Sequence, residues 1–178
     1  MSKTTLKELL EQKTEQYNQP NFIENDPIQI PHLFTKKEDI EIIGFLTAII
    51  SWGKRSSIIN NAKKLVELME NSPHDFIINF QPRDLIKFEG FVHRTFNYTD
   101  LIYFLYSLQN IYKKHHGLEK AFSIDKNQTA FDAINQFRKI FFEIEYPERT
   151  SKHISNPLKN SSAKRINMSI RVIKMVMN

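Results

Sequence analysis

Apolar residues recur along this chain mostly at three- and four-residue intervals, the period of an amphipathic helix. Residues 3–18 set Leu6, Leu9, Leu10 and Tyr17 on one side of a predicted helix, among alternating charges. Pro27 and Pro31 push Asp26 and Ile30 out of helical geometry, so FIENDPIQIPHLF (residues 22–34) reads as an ordered, extended connector along the body of the domain. The next run, Ile40 to Trp52, is apolar nearly all round. Glu38, Asp39 and Glu41 stand at its start, where the helix dipole favours negative charge. This predicts a central helix buried on most faces and ended by Gly53.

Ser56 or Ser57 is positioned to start a one-sided helix over Ile58 to Met69. Ser72-Pro73 opens a short helix through Phe80, and another short turn covers Pro82 to Phe88. After the aromatic loop FEGFVHRTFNYTD (residues 88–100), Thr99 reads as the cap of a long helix from Leu101 to His115, closed by Gly117. Thr129 caps a helix from Ala130 to Ile144, with Phe131, Ile134, Phe137, Ile140 and Phe141 as its apolar face, and Pro147 stops it. The polar turn SNPLKNSSA then leads into a helical pattern beginning at Lys164. No repeat or low-complexity linker divides the chain. The pattern predicts one all-α domain over residues 1–178, a helical bundle, and the presence of only 4 glycines argues against a sheet of tight hairpins.

Charge changes the picture at one place. The chain carries 25 Lys+Arg against 20 Asp+Glu, a net of +5. Residues 149–178 hold Arg149, Lys152, Lys159, Lys164, Arg165, Arg171 and Lys174 with no Asp or Glu, so the rest of the chain is slightly acidic. A basic excess confined to one segment is the electrostatic footprint of a surface that meets phosphate; a solvated basic tail has the same composition. With no cysteine there is no disulfide, thiolate zinc site, iron–sulfur cluster or thiol nucleophile. No apolar run approaches the ~18 residues of a membrane span, and the polar start lacks the core of a signal peptide. The expected setting is the cytoplasm.

The four glycines are too scattered for a phosphate-binding loop, and no cofactor is expected. His115, His116 and Glu119 read as a polar helix end more readily than as metal ligands, since adjacent helical residues point about 100° apart, and no metal is expected. Asp26 reads as a turn cap before Pro27 rather than a catalytic carboxylate. Trp52 reads as a core plug, with a ligand cleft at Gly53-Lys54-Arg55 as the other reading. His93 and Arg94 sit among Phe91, Phe96 and Tyr98, a composition suited to phosphate contact or base stacking; the other reading pairs Arg94 with a carboxylate such as Asp100. Lys164 is the sharpest candidate. Ser161 or Ser162 can cap the last helix, which puts Lys164 in its first turn beside Arg165. Both the dipole and Arg165 disfavour the protonated amine, as nucleophilic Schiff-base chemistry requires. A phosphate-binding lysine would look the same.

Four stretches, FIENDPIQIPHLF, EIIGFLTAIISWGKRSSIINNAKKL, FVHRTFNYTDLIYFLYSL and RTSKHISNPLKNSSAKRINM, together resemble an uncharacterised bacterial family that carries a domain-of-unknown-function label. That family is distantly similar to helix-hairpin-helix DNA glycosylases of the archaeal 8-oxoguanine type. The resemblance covers nearly the whole chain up to Met168. It implies an all-helical, two-lobed fold with DNA in the cleft between lobes, and IIGFLTAIISWG as the cleft-lining helix. Lys164 would match the catalytic lysine, with Arg94, Arg149, Lys152, His153, Lys159 and Arg165 positioning backbone phosphates. The pattern is incomplete: hairpin glycines are replaced by Asn156-Pro157 and Asn160. The Leu-Asp-Val-His-like segment that supplies the family's aspartate is absent as well, since the chain reads NMSIRVIKMVMN there. The expectation is a truncated member with an incomplete second lobe and no full glycosylase turnover. The alternative is a non-catalytic helical module that binds nucleic acid through its basic segment. A third expectation is self-association through Ile170, Val172, Ile173 and Val176, left exposed by the missing lobe.

Overall fold

A computed structural model describes residues 3–17, 19–123 and 129–175. Its organising element is α3 (Lys37–Ile50), preceded by α1 (Lys3–Tyr17) and α2 (Pro20–Ile23). From Ile42 to Ile50 every residue of α3 is buried, as the all-round apolar run requires, and Glu38 and Asp39 fill its first turn. Against it pack α4 (Arg55–Leu68), α5 (Pro73–Asn79), α7 (Leu118–Ala121) and α9 (Lys164–Met175). The outer layer is α6 (Tyr98–Lys114), which packs on α5, α7 and α8 (Ala130–Phe141). Phe45 of α3 meets Phe104 of α6 and Phe137 and Phe141 of α8 at ring separations of 5.6–5.9 Å, an aromatic cluster at the centre of the core.

The remaining backbone is short 3-10 turns and one hairpin. Pro27–Gln29 and Pro31–Leu33 form consecutive 3-10 turns, so the expected extended connector is helical in part. Asp26 is extended and accepts the Ile28 N–H at 3.0 Å, whereas Ile30 is right-handed helical and fully buried, its core contacts outweighing the bias imposed by Pro31. The loop 88–100 contains a two-stranded antiparallel hairpin, β1 (Val92–His93) and β2 (Phe96–Asn97), with Arg94 at its tip in the left-handed region, φ +57°. Asn97, not Thr99, caps α6: its side chain accepts the Asp100 N–H while the Asp100 carboxylate accepts the Asn97 N–H. Thr129 makes the same reciprocal box with Asp132 at α8, whose helix ends at Phe141, well before Pro147. Lys54 rather than a serine precedes the first residue of α4.

The two ends of the chain behave differently. Leu6, Leu9, Leu10 and Tyr17 share a side of α1, but that stripe faces solvent. Helix α9 lies antiparallel on α3: Arg165 near its start reaches Ile49, and Val172 near its end touches Gly44. A Cβ on Gly44 would meet Val172 Cγ1 at 2.6 Å, so the glycine is what lets the two helices approach. Val172 is therefore buried and Ile170 half-buried, correcting the expectation that this stretch is exposed. The Ile173 side chain and Val176 lie outside what is described.

Candidate nucleic-acid interface

The site forms where α3 ends and α9 begins. Past Ile50 the chain turns sharply: Ser51 Oγ donates to the Thr47 carbonyl at 2.7 Å, and Gly53 adopts φ +104°. Half-buried Trp52 stands at this turn. The guanidinium of Arg94, carried by the hairpin tip, lies 4.9 Å from a Trp52 ring centroid, and that of Arg165, from α9, lies at 5.8 Å. The Arg94 guanidinium lies against Gly53, whose φ is what calls for glycine at the turn.

Under the tryptophan, His93 is buried and locked. The Trp52 carbonyl can only accept, so His93 Nε2–H donates to it at 3.0 Å and Nδ1 takes the Asn61 amide N–H at 2.8 Å. Arg165 donates to the Ile49 carbonyl at 2.9 Å, a cation placed on the negative end of α3. Burial lowers its guanidinium below the ordinary arginine range.

The basic segment splits into two sets of side chains. Arg149 and His153 turn inward to Asp100, whose carboxylate is fully buried at the start of α6. Thr150 Oγ1 donates to Asp100 Oδ1 at 2.9 Å, and Arg149 Nη2 lies 3.1 Å from Oδ2 while also donating to the Thr95 carbonyl. His153 Nε2 stands 3.2 Å from Oδ2 without hydrogen-bond alignment, and packs edge-on against Phe96. Burial holds the His153 imidazole below its usual pKa, outweighing the attraction of Asp100. The Asp100 partner is thus Arg149, not Arg94. Lys152, Lys159 and Lys164 are exposed, and among the described residues their side chains make no hydrogen bond or ion pair. Lys164 is the first residue of α9, as its pattern predicts, and Ser161 Oγ accepts the Ala163 N–H just before it.

Of the predicted residues, Arg94 and Arg165 come together at Trp52, and Lys164 follows on the same end of α9. Arg149, itself exposed, and buried His153 form a separate group around Asp100 that braces the hairpin. The Trp52–Arg94 pairing escaped sequence reasoning. Its available signal was the exposed Gly53-Lys54-Arg55 run directly after a buried helix.

Beside this face an apolar cleft of about 510 Å³ runs between α3, α9 and the turns at 22–32, with Phe22, Ile28, Ala48 and Val172 among its walls. Asp26 lies at its edge, capping its turn and facing Arg55 at 3.9 Å. Thr47 also lines it, and its buried hydroxyl has no hydrogen-bond partner among the described residues. Among the described residues no group of three His, Asp or Glu side chains is placed to hold a metal ion, and no helix is long and apolar enough to cross a membrane.

Fold and face define an all-α protein with a cationic, tryptophan-centred surface. The chain belongs to DUF2400, described as a protein family of unknown function, which it matches over residues 26–176. No curated protein and no solved structure matches it.

Proposed function

We propose that this chain binds the phosphate backbone of nucleic acid, DNA in the reading suggested by the glycosylase resemblance, through the surface around Trp52. One observation carries this: Arg94 and Arg165, distant in sequence, converge on the single tryptophan, with exposed Lys54 just before α4 and exposed Lys164 at the start of α9. Neither arginine is paired to a carboxylate among the described residues, so each keeps its charge for an anionic partner. Lys152 and Lys159 stand exposed on the preceding 3-10 turns.

Fluorescence anisotropy with a labelled duplex, measured across a salt series, tests this. Each neutralised phosphate contributes about −0.9 to the slope of log affinity against log salt, so four contacts give a slope of about −3.6. Arg94→Ala and Lys164→Ala are each expected to flatten that slope by about one. Absence of binding by the folded protein at low salt, or a salt-independent affinity, overturns the proposal.

A second reading, a DNA glycosylase-like activity, is favoured by Lys164 itself. Its amine is exposed at the head of α9 and, among the described residues, engaged by no other side chain, so it is open to the aldehyde of an abasic site. Borohydride trapping on an abasic duplex is expected to crosslink the protein and to fail in Lys164→Ala. Undiminished trapping in that variant removes Lys164 as the nucleophile and leaves binding alone.

A further inference from the structure

At the opposite end of α3, a second cavity of about 260 Å³ opens among α3, α5 and the α6–α7 corner. Its lining is polar and titratable. Glu41 lies at its floor, 2% exposed, with one carboxylate oxygen committed: Tyr112 donates its hydroxyl to Oε2 at 2.8 Å. Burial and the neighbouring carboxylate push the Tyr112 hydroxyl far above its usual pKa, so it stays a donor. The other oxygen, Oε1, is buried and accepts no hydrogen bond among the described residues. Lys37 Nζ is the nearest cation at 3.9 Å, but it is bonded to Glu119. A buried acceptor left open costs about 1–3 kcal/mol, so such a group calls for a donor.

The walls decide what kind. Glu38, Glu41 and Glu119 face the cavity against a single ammonium, Lys37, with His74 and His116 completing its ionisable lining. That balance rejects phosphate and other anions. A metal ion lacks its ligand set here, as no three-ligand group occurs among the described residues. Burial pushes the Glu41 carboxyl above its usual range, and the Tyr112 hydrogen bond and Lys37 offset this only in part. A water can donate to Oε1 but adds no counter-charge. An organic cation with N–H donors supplies both the missing hydrogen bond and the counter-charge that Lys37, shared with Glu119, provides only in part.

We propose that this cavity binds a small aliphatic amine or guanidine whose charged head donates to Glu41 Oε1, with Glu119 as the second anionic contact. The volume lies below the about 300–1,000 Å³ of drug-sized pockets and limits the ligand to about ten non-hydrogen atoms. Tyr112 and the edge of His74, whose rings meet at 5.2 Å, form the less polar wall for its methylene stem. The site is independent of the Trp52 face and stands whether or not the chain binds nucleic acid.

Calorimetric titration of the full chain with agmatine and with putrescine tests this, with tetramethylammonium as a cation lacking N–H donors. A saturable one-site isotherm is expected for agmatine or putrescine and none for tetramethylammonium. Glu41→Gln, which keeps the shape and the Tyr112 bond but removes the charge, is expected to weaken binding at least tenfold. Glu119→Gln is expected to weaken it severalfold, and it decides the matter if circular dichroism shows Glu41→Gln unfolded. No saturable heat up to about 10 mM ligand overturns the proposal, since that excludes even a millimolar site. Equal affinity in the folded variants, or equal binding of tetramethylammonium, also overturns it.

Discussion

The contact between Gly44 and Val172 offers a quantitative test of how α9 is seated. Replacing Gly44 by alanine in the middle of a helix normally gains about 1 kcal/mol, because glycine loses more backbone freedom on folding. Here the added methyl meets Val172 Cγ1 at 2.6 Å and Pro31 Cβ at 3.7 Å. A β-branched side chain close to its own backbone yields little, and such overpacking costs about 1–3 kcal/mol. Gly44→Ala alone is therefore expected to destabilise by about 1 kcal/mol. Val172→Ala alone removes two buried methyl groups and costs about 1.6 kcal/mol. In the double variant the clash is gone, since the nearest remaining atom, the residue 172 Cβ, lies at 3.4 Å. The helix-propensity gain then survives, and the pair is expected to cost only about 0.6 kcal/mol, a coupling of about 2 kcal/mol. Urea unfolding followed by circular dichroism measures all four corners of this cycle. Additivity within about 0.5 kcal/mol, or a Gly44→Ala variant more stable than the parent, would refute the seating of α9 on α3.

Asp100→Ala strands the Asn97 amide and the Thr150 hydroxyl and removes the Arg149 counter-charge; it is expected to cost about 3 kcal/mol in urea and to speed proteolysis within 149–153. A loss under about 1 kcal/mol would show that the buried carboxylate is not a brace. His153 gives a pH signature. Its folded-state pKa is depressed by burial, so the native protein binds fewer protons than the unfolded chain. Its contribution is fully present above the unfolded value near about 6.5 and is lost as pH falls through it towards the lower folded value. Urea midpoints measured from pH 8 down to pH 5 are expected to decline in this window, less so in His153→Gln; parallel curves for the two proteins would exclude His153 as the source.

Sequence pattern conveyed the helices whose cause is local. The unbroken apolar run of α3 could only be a buried helix, and Thr129 with Asp132 spelled out a capping box. At α6 the same logic was available in Asn97 and Asp100, but Thr99 stands between them and competes as a cap. Ile30 shows the limit of a local rule: a following proline disfavours the helical region, and complete burial overrode it. The basic segment was legible as charge but not as geometry. A count treats Arg149, His153 and Arg165 like Lys152, Lys159 and Lys164. Only the fold reveals that the first three are engaged by Asp100, the Thr95 carbonyl and the Ile49 carbonyl. Those acceptors belong to other elements, and no spacing along the chain announces them. The Glu41 cavity was invisible for the same reason, since α3, α5 and the α6–α7 corner contribute to it separately.

The antiparallel seam of α3 and α9 also bears on how the chain is made. Arg165 and Ile49 are 116 positions apart, yet α9 covers a flank of the most apolar helix in the protein. On the ribosome, at about 5–20 residues per second, α3 emerges many seconds before the helix that shields it. During that interval its oily surface is available to chaperones and to neighbouring nascent chains. Yield at elevated temperature should therefore depend on how fast translation proceeds between the two helices, even when the finished protein is equally stable.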